Sequence, residues 1–284
     1  MDKVIRVHYS GDIKPMVRFS DSNNQAKLKG IKVWLGELQD IERTHGFTAI
    51  DALHALAKLA TLKIRSSGLP AGHSCPFAVD CLSKADRITG KITDGKYMEF
   101  RCYASSLEAI YKPMREMYWN NFDTLKHMHM EDMVSVLYDA VVAKRTDIMR
   151  IHTSGDYFNQ KYFDSWLQVA RLLPGTIFYS YTKSIRYWVN QLGNIPDNFI
   201  LNASRGGRDD YLIDFYNLKV AEVVYSVEEA NAKGLEIDHD ERHAILPLGN
   251  FALLIHGTQP KGSKGSDAIK QLKANNIQYS YPSK

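Results

Sequence analysis

Apolar residues near the N-terminus recur at the spacing of an α-helix. In FTAIDALHALAKLATLKIRSSG (47–68) they lie on one helical face, at Ile50, Leu53, Leu56, Leu59 and Leu62. Thr48 precedes this stripe and is a possible N-cap, and Gly68 follows it, where helices commonly stop. We therefore predict a long helix here and a mainly helical segment over residues 1–70.

The next part of the chain predicts a loop that leads into helices. Residues 71–102 are rich in Gly, Ser and Asp and contain all 3 cysteines of the chain. From Tyr103 to about Lys144 the helical periodicity returns, with one break near His127–His129. We expect an irregular, cysteine-bearing loop followed by packed helices.

From residue 147 onward, short apolar strands alternate with helices. The pattern predicts strands in DIMRIHTSGDY (147–157), TIFYSYTKS (176–184) and NFILNASRGG (198–207), and in the later segments EVVYSV, AILPL and FALLIHG. It predicts helices in NQKYFDSWLQVARLLP (159–174), IRYWVNQLG (185–193) and SDAIKQLKANN (266–276). Short connections between alternating elements favour parallel strands joined by helical crossovers.

This alternation predicts an α/β fold, which could be a barrel or an open sheet, and we expect a (partial) TIM-like barrel of mostly parallel strands. We assign residues 1–70 to a helical N-terminal extension and residues 71–284 to a barrel-like catalytic domain that includes the cysteine-bearing loop 71–102. In both architectures, ligands bind just past the C-terminal ends of the strands. The residues that follow the predicted strands are therefore the first candidates for a functional site.

Composition and charge narrow the function classes. The 284 residues are 44% hydrophobic and 24% charged, which is an ordinary globular mixture. No apolar run approaches the ~18 residues of a membrane span, and the N-terminus lacks the apolar core of a secretory signal. We expect a cytoplasmic protein without a membrane partner. The net charge of +4 is compatible with a nucleic-acid or nucleotide substrate, and no pattern indicates an oligomeric state.

Polar and small residues follow four of the predicted strands. We expect catalytic roles for Asp156, His152 and Lys183. We expect substrate or cofactor binding by other residues at these strand ends, namely Ser154, Gly155, Tyr157, Tyr181, Thr182, Ser204, Arg205 and His256. If the strands are parallel, all of these residues meet at one edge of the sheet.

Asp156 is the strongest of these candidates because it follows Ser154-Gly155 in a turn at a strand end. It could act as general base, nucleophile or acceptor for an amino group, and His152 lies on the same alternating face. The simpler alternative is that Asp156 caps the next helix, although Asn159 could take that position. Lys183 and Arg205 are cations suited to a phosphate or carboxylate.

The chain has three cysteines, Cys75, Cys81 and Cys102, and an odd number argues against a disulfide framework. Three thiolates are enough for an iron–sulfur cluster in which one iron keeps an open position. A zinc site needs four ligands, and His73 could be the fourth. The alternative is that the thiols are buried, unreactive side chains.

Several ordered motifs resemble the bacteriophage gene product 88 family. They are Cys75-Pro76 with Ala78 and Cys81, Cys102-Tyr103-Ala104, the run from Arg150 to Tyr157 (RIHTSGDY), the run from Phe178 to Ser184 (FYSYTKS), and Asn202 with Ser204. The resemblance covers roughly residues 70–260 and implies a phage-encoded protein in the cytoplasm of an infected host cell. Many family members place their cysteines closer together and add a second cysteine cluster near the C-terminus. In this chain Cys81 and Cys102 are far apart, and HGTQPKGSKGS stands where the second cluster would be.

The order of the motifs is also similar to that of radical S-adenosylmethionine barrels. In those enzymes a three-cysteine loop is followed by a helix and then by a strand that ends in a glycine turn. The resemblance implies a [4Fe–4S] cluster on the cysteines, with S-adenosylmethionine bound at the turn, in an enzyme that modifies nucleic acid or nucleotides.

Two alternatives remain open at this stage. A DNA guanine transglycosylase that inserts a 7-deazaguanine also uses an α/β barrel, with a structural zinc on cysteines and a histidine. Asp156 would then be its nucleophile, and Asp209 or Asp210 could be the second aspartate. The other alternative is a non-enzymatic DNA-binding accessory protein, which the lysine-rich C-terminal tail would suit. DNA is the expected nucleic acid in each case, in preference to RNA.

Overall fold

A computed structural model describes residues 16–21 and 24–279 of the chain. The strands are β1 (Ser20–Asp21), β2 (Ile64–Ser66), β3 (Ser83–Ala85), β4 (Ile92–Asp94), β5 (Ile148–Ile151), β6 (Ile177–Thr182), β7 (Phe199–Ser204), β8 (Val220–Val224), β9 (Glu236–Ile237) and β10 (Phe251–Leu254). The helices are α1 (Gln25–Gly36), α2 (Leu38–His45), α3 (Asp51–Ala57), α4 (Tyr103–Ile110), α5 (Lys112–Leu125), α6 (Met130–Ala143), α7 (Gln160–Leu172), α8 (Ile185–Val189), α9 (Asp210–Phe215), α10 (Val227–Ala232), α11 (Arg242–Ile245) and α12 (Lys264–Ala274).

An 8-stranded sheet runs in the order β1-β2-β5-β6-β7-β8-β10-β9. Its neighbouring strands pair in parallel, except for the antiparallel pair of β1 with β2. The prediction of an α/β fold with mostly parallel strands is therefore confirmed. Within the described residues β1 and β9 are edge strands, and no pairing between them closes a barrel.

The two faces of the sheet are buried against different helices. On β6, Phe178 joins the cluster that contains Trp166 of α7. Its neighbour Tyr179 joins the cluster that contains Trp34 of α1. Successive side chains of a strand point to opposite faces, so β6 is apolar over most of its length because both of its faces are covered.

The predicted long helix over 47–68 is wrong. Helix α3 spans only Asp51–Ala57, and its N-cap is Ile50 rather than Thr48. Beyond it, Ile64 starts β2 and pairs in parallel with Ile148 of β5. A helix through this segment would lose those sheet hydrogen bonds and the burial of the β-branched Ile64.

The boundary predicted at residue 70 does not separate an extension from the sheet. Strands β1 and β2 both precede that boundary, and β2 pairs with β5 of the following part. Helices α1 and α3 also pack on the face of the sheet that carries Tyr179. Residues 1–15, which belong to the predicted extension, lie outside the described residues.

Two further segments differ from the predictions. The loop 71–102 contains the hairpin β3–β4, and the segment predicted as the strand AILPL begins inside α11. The ammonium of Lys219 donates to the carbonyls of His243 and Leu246 and holds this helical turn against the sheet. A short apolar run does not distinguish a buried strand from a buried helix by its periodicity.

The remaining predicted elements are present with shifts of a few residues at their ends. Helices α4 to α6 fill the predicted helical region, although a second break occurs at Tyr111. Helix α7 starts where the pattern indicates, capped by Asn159, whose side chain accepts from the Tyr162 N–H at 2.8 Å. Among the described residues, no helix has both the length and the apolar character needed to cross a membrane.

Candidate functional site

A cavity of about 540 Å³ lies at the C-terminal ends of the parallel strands. Its wall is built from the turn after β5, the ends of β6, β7 and β10, and the cysteine-bearing loop. Most of the residues predicted for the site line it, namely Cys75, Cys81, Cys102, His152, Ser154, Gly155, Asp156, Tyr181, Thr182, Lys183, Ser204 and His256. His73, Tyr157 and Arg205 do not.

The turn after β5 needs unusual backbone conformations. His152 and Gly155 both have positive φ angles, of 69° and 82°. A Cβ atom on Gly155 would lie 2.4 Å from the Ser74 hydroxyl and 2.6 Å from Cβ of Leu69. Glycine therefore lets the turn approach the loop that carries the first cysteine, which brings the loop and the strand end to one wall.

The carboxylate of Asp156 joins this turn to the end of β6. Its Oδ1 accepts from the Thr182 hydroxyl at 2.6 Å and from the Tyr157 N–H at 2.7 Å. Its Oδ2 accepts from the Lys183 N–H at 2.8 Å. Burial raises the pKa of Asp156, and these hydrogen bonds oppose that shift. Because Asn159 caps α7, the alternative that Asp156 caps this helix is wrong.

The two cations predicted for a ligand bind protein groups instead. The ammonium of Lys183 donates to the Ser204 hydroxyl at 2.8 Å, to the Ser204 carbonyl at 3.0 Å and to the Arg205 carbonyl. These contacts use all three of its N–H bonds. Arg205 lies away from the cavity and pairs with Asp214. The prediction that both cations face the same cavity as Asp156 is therefore wrong for Arg205.

His152 lines the cavity but is buried, and its Nε2 lies 3.1 Å from the Tyr162 hydroxyl. Burial lowers the pKa of His152 to about 3, so the imidazole is neutral at physiological pH. Tyr157, predicted to bind a ligand, is fully buried in the core, with its ring packed against Phe163. It supports the turn from behind, away from the cavity.

All three thiols are free and line the same cavity. The pKa of Cys81 is lowered because the Cys102 thiol hydrogen bonds to it, and the same interaction together with burial raises the pKa of Cys102. Burial also raises the pKa of Cys75, and negative charge on Asp156 and Cys81 adds to that shift. Within the described residues, however, no three or more His, Cys, Asp or Glu side chains are arranged to hold a metal ion.

His73, the predicted fourth ligand, has other partners. Its Nε2 lies 3.2 Å from the carbonyl oxygen of Ala85 in β3. Its ring packs against Trp119, with the ring centroids 4.8 Å apart. These contacts hold the loop 71–102 to α5 and give His73 a structural role.

Arg150 and Glu241 are cavity residues that the sequence analysis did not single out. Glu241 is buried and accepts from Lys27 at 2.5 Å and from Arg150 at 3.1 Å. The two cations hold the pKa of Glu241 at about 2, against the effect of burial. Arg150 could have been found from the sequence, because it lies just before the turn in the motif RIHTSGDY. Glu241 could not, because the charged run DHDERH around it is typical of an exposed loop.

Further contacts fix the wall between the strand ends and α4. Tyr103, the first residue of α4, donates to the carbonyl of Thr153 at 2.5 Å and packs against His256. The buried Glu108 of the same helix accepts from the Ser154 hydroxyl at 2.6 Å and from the Ala71 N–H at 2.9 Å. Helix α4 thus links Cys102 at its start to the turn that carries Asp156.

Comparison with known proteins supports the resemblance of the motifs. The family model for gene product 88 matches residues 36–276, which include the whole cysteine-bearing loop and every strand end on the cavity. The chain belongs to the gene product 88 family. Radical S-adenosylmethionine or transglycosylase enzymes are not among its matches, and no solved structure matches the chain.

Its curated relatives include two phage proteins. The gene 88 protein of Mycobacterium phage L5 is 30% identical over 135 residues, which are 44% of this chain and 50% of that protein. The gene 88 protein of Mycobacterium phage D29 is 28% identical, also over 135 residues and with the same coverage. The chain thus spans about half the length of the curated relatives it matches.

Proposed function

We propose that the chain is an enzyme that modifies nucleic acid or nucleotides in this cavity, with a [4Fe–4S] cluster on Cys75, Cys81 and Cys102. The observation that carries the proposal is that three thiols separated in sequence line one cavity together with the ends of four strands. The strand order β2-β5-β6-β7-β8-β10 advances steadily across the sheet, as in a partial barrel of the radical S-adenosylmethionine type.

The donor set fits such a cluster in its chemistry. Three thiolates ligate three irons and leave a fourth open to a ligand from the cavity. The Cys81 and Cys102 thiols already interact, and Cys75 also contributes to the raised pKa of Cys102. In the described chain, the three side chains are not arranged to hold a metal ion. Binding of a cluster therefore requires them to move toward a common centre.

A bound cluster with S-adenosylmethionine would supply radical chemistry, and the residues of the chain would orient the reactants. Among the described residues, Oδ2 of Asp156 accepts from the Lys183 N–H alone, so it keeps an acceptor position to which an amino group of a ligand could donate. Lys183 follows β6 and ties its end to the end of β7 through three contacts with Ser204 and Arg205. His152 is neutral at physiological pH, so it can form hydrogen bonds with a ligand but is not an imidazolium that could act as a general acid.

The transglycosylase alternative has less support in the geometry. Asp156 accepts three hydrogen bonds that would weaken it as a nucleophile. Asp209 pairs with Arg186, and Asp210 accepts from the N–H groups of Gly206 and Gly207. Neither of these aspartates lines the cavity, so neither can be the second aspartate that such an enzyme requires. Asp238 does line the cavity, but the sequence did not single it out, and burial raises the pKa of Asp238 to about 7.

Metal and sulfide analysis of the anaerobically purified protein tests the proposal. We expect iron with sulfide in the wild type and a large loss of both in Cys75→Ser, Cys81→Ser and Cys102→Ser. His73→Gln is the matched control, because glutamine can still donate to the Ala85 carbonyl, and it should keep its iron. Zinc without sulfide would favour the transglycosylase, and no metal in any preparation would contradict the proposed cofactor.

The same variants also test the substrate class. DNA from cells that express the wild type is digested to nucleosides and analysed by mass spectrometry beside DNA from cells that express Cys102→Ser. We expect a modified nucleoside only with the wild type. Metal-containing protein that leaves DNA, RNA and free nucleotides unmodified would contradict the proposed substrate class. Protein that binds DNA without modifying it would favour the alternative of an accessory protein.

A further inference from the structure

Arg150 shares its carboxylate partner, Glu241, with Lys27. Lys27 approaches Oε1 of Glu241 more closely, at 2.5 Å, than Nη1 of Arg150 does, at 3.1 Å. Lys27 also donates to the Tyr179 hydroxyl at 2.8 Å. Glu241 is thus charge-paired from the side of α1, and its pair with Arg150 uses a single nitrogen of the guanidinium.

The other edge of the Arg150 guanidinium is almost unused. Nη2 has a long contact of 3.4 Å with the hydroxyl oxygen of Tyr103, which donates its own proton to the Thr153 carbonyl. Nε is buried and has no hydrogen-bond partner among the described residues. The Nε and Nη2 protons form a fork that matches two oxygens of one carboxylate or phosphate.

Arg150 is also placed to meet a ligand. Its side chain is 19% exposed, lines the cavity, and lies over the ring of Tyr181 with 5.1 Å between guanidinium carbon and ring centroid. The other arginine and lysine on the described cavity wall are already paired. Arg101 uses its Nε and Nη2 on Asp94, at 3.0 and 2.5 Å, and Lys183 uses all its N–H bonds on β7.

We propose that Arg150 binds an oxyanion, a carboxylate or a phosphate, of the molecule that occupies the cavity, through its Nε–Nη2 edge. The inference rests on the proposed function in one respect, namely that the cavity is where the substrate binds. It does not require a metal. Arg150 then takes the anion-binding role predicted for Lys183 and Arg205, because those two cations are paired with groups of the protein.

Calorimetric titration of metal-free protein with inorganic phosphate and, separately, with acetate at constant ionic strength tests the proposal. We expect the wild type to bind at least one of them, with a dissociation constant in roughly the millimolar range. Arg150→Lys keeps the charge beside Glu241 but lacks the fork, and it should bind roughly tenfold more weakly or worse. Arg101→Lys, the matched control, should bind like the wild type because the Arg101 fork is occupied by Asp94.

The anion whose binding depends more strongly on Arg150 identifies the chemical group on the natural ligand. Wild-type protein that binds neither anion, or equal weakening in Arg150→Lys and Arg101→Lys, would overturn the proposal. Thermal melting of each variant shows that the fold is retained. Because the titration uses metal-free protein, its outcome is independent of the metal analysis, and either proposal can fail while the other holds.

Discussion

At the scale of single residues, burial changes what the candidate side chains can do. The imidazole of His152 lies beside the Tyr162 hydroxyl, and removal from water is the cause of its lowered pKa. The unfolded chain takes up a proton at this histidine below about pH 6.5, whereas the folded protein does so only near pH 3. The stability of the fold therefore decreases as the pH falls from 6.5 toward 3.

His152→Asn removes the titrating group and keeps a residue that tolerates a positive φ angle. Between pH 7 and pH 5, we expect the free energy of unfolding of the wild type to fall by about 2 kcal/mol more than that of the variant. Urea unfolding at both pH values measures the difference, and the other histidines affect both proteins alike. An identical pH dependence in the two proteins would show that His152 is not buried in its neutral form.

At the scale of elements, the turn after β5 depends on close packing as well as on backbone conformation. Gly155 and Gly193 have nearly equal φ angles of 82° and 81°. A Cβ at Gly193 would meet nothing within 4 Å, whereas one at Gly155 would collide with Ser74 and Leu69. The pair therefore separates the conformational cost of a side chain from its packing cost.

Gly193→Ala should destabilise the fold by about 1–2 kcal/mol, which is the cost of a left-handed backbone with a side chain. Gly155→Ala should add a packing cost of roughly 1–3 kcal/mol to the same conformational cost. Denaturant unfolding of both variants measures the two values. Equal destabilisation would mean that the turn does not press against the loop that carries Cys75.

Helices with a regular apolar stripe and a capping residue could be predicted from the sequence. Elements whose conformation depends on contacts with distant segments could not. Helix α7 has a continuous apolar stripe and an Asn159 cap, and both are local features. Strand β2 continues the apparent stripe of α3, and only its pairing with β5 makes it a strand. Helix α11 likewise depends on the contacts of Lys219 from a preceding segment.

At the scale of the whole molecule, the position of the cavity follows from topology, but its polar partners do not. The rule that ligands bind at the C-terminal ends of parallel strands predicted the wall that contains Asp156 and Lys183. The group of Lys27, Arg150 and Glu241 joins residues far apart in sequence, and no local pattern indicates it. Arg205 follows a strand as the rule requires, yet a nearby carboxylate on α9 draws it to the surface.

The proposed metal centre on the three cysteines lies in the cavity where the strands end. Anomalous diffraction from crystals of anaerobically purified protein, recorded at the iron and zinc absorption edges, tests it most directly. We expect an iron peak inside the cavity, with the Sγ atoms of Cys75, Cys81 and Cys102 at about 2.3 Å from the metal. Protein that carries iron elsewhere, or crystals without a peak between these three sulfur atoms, would contradict it.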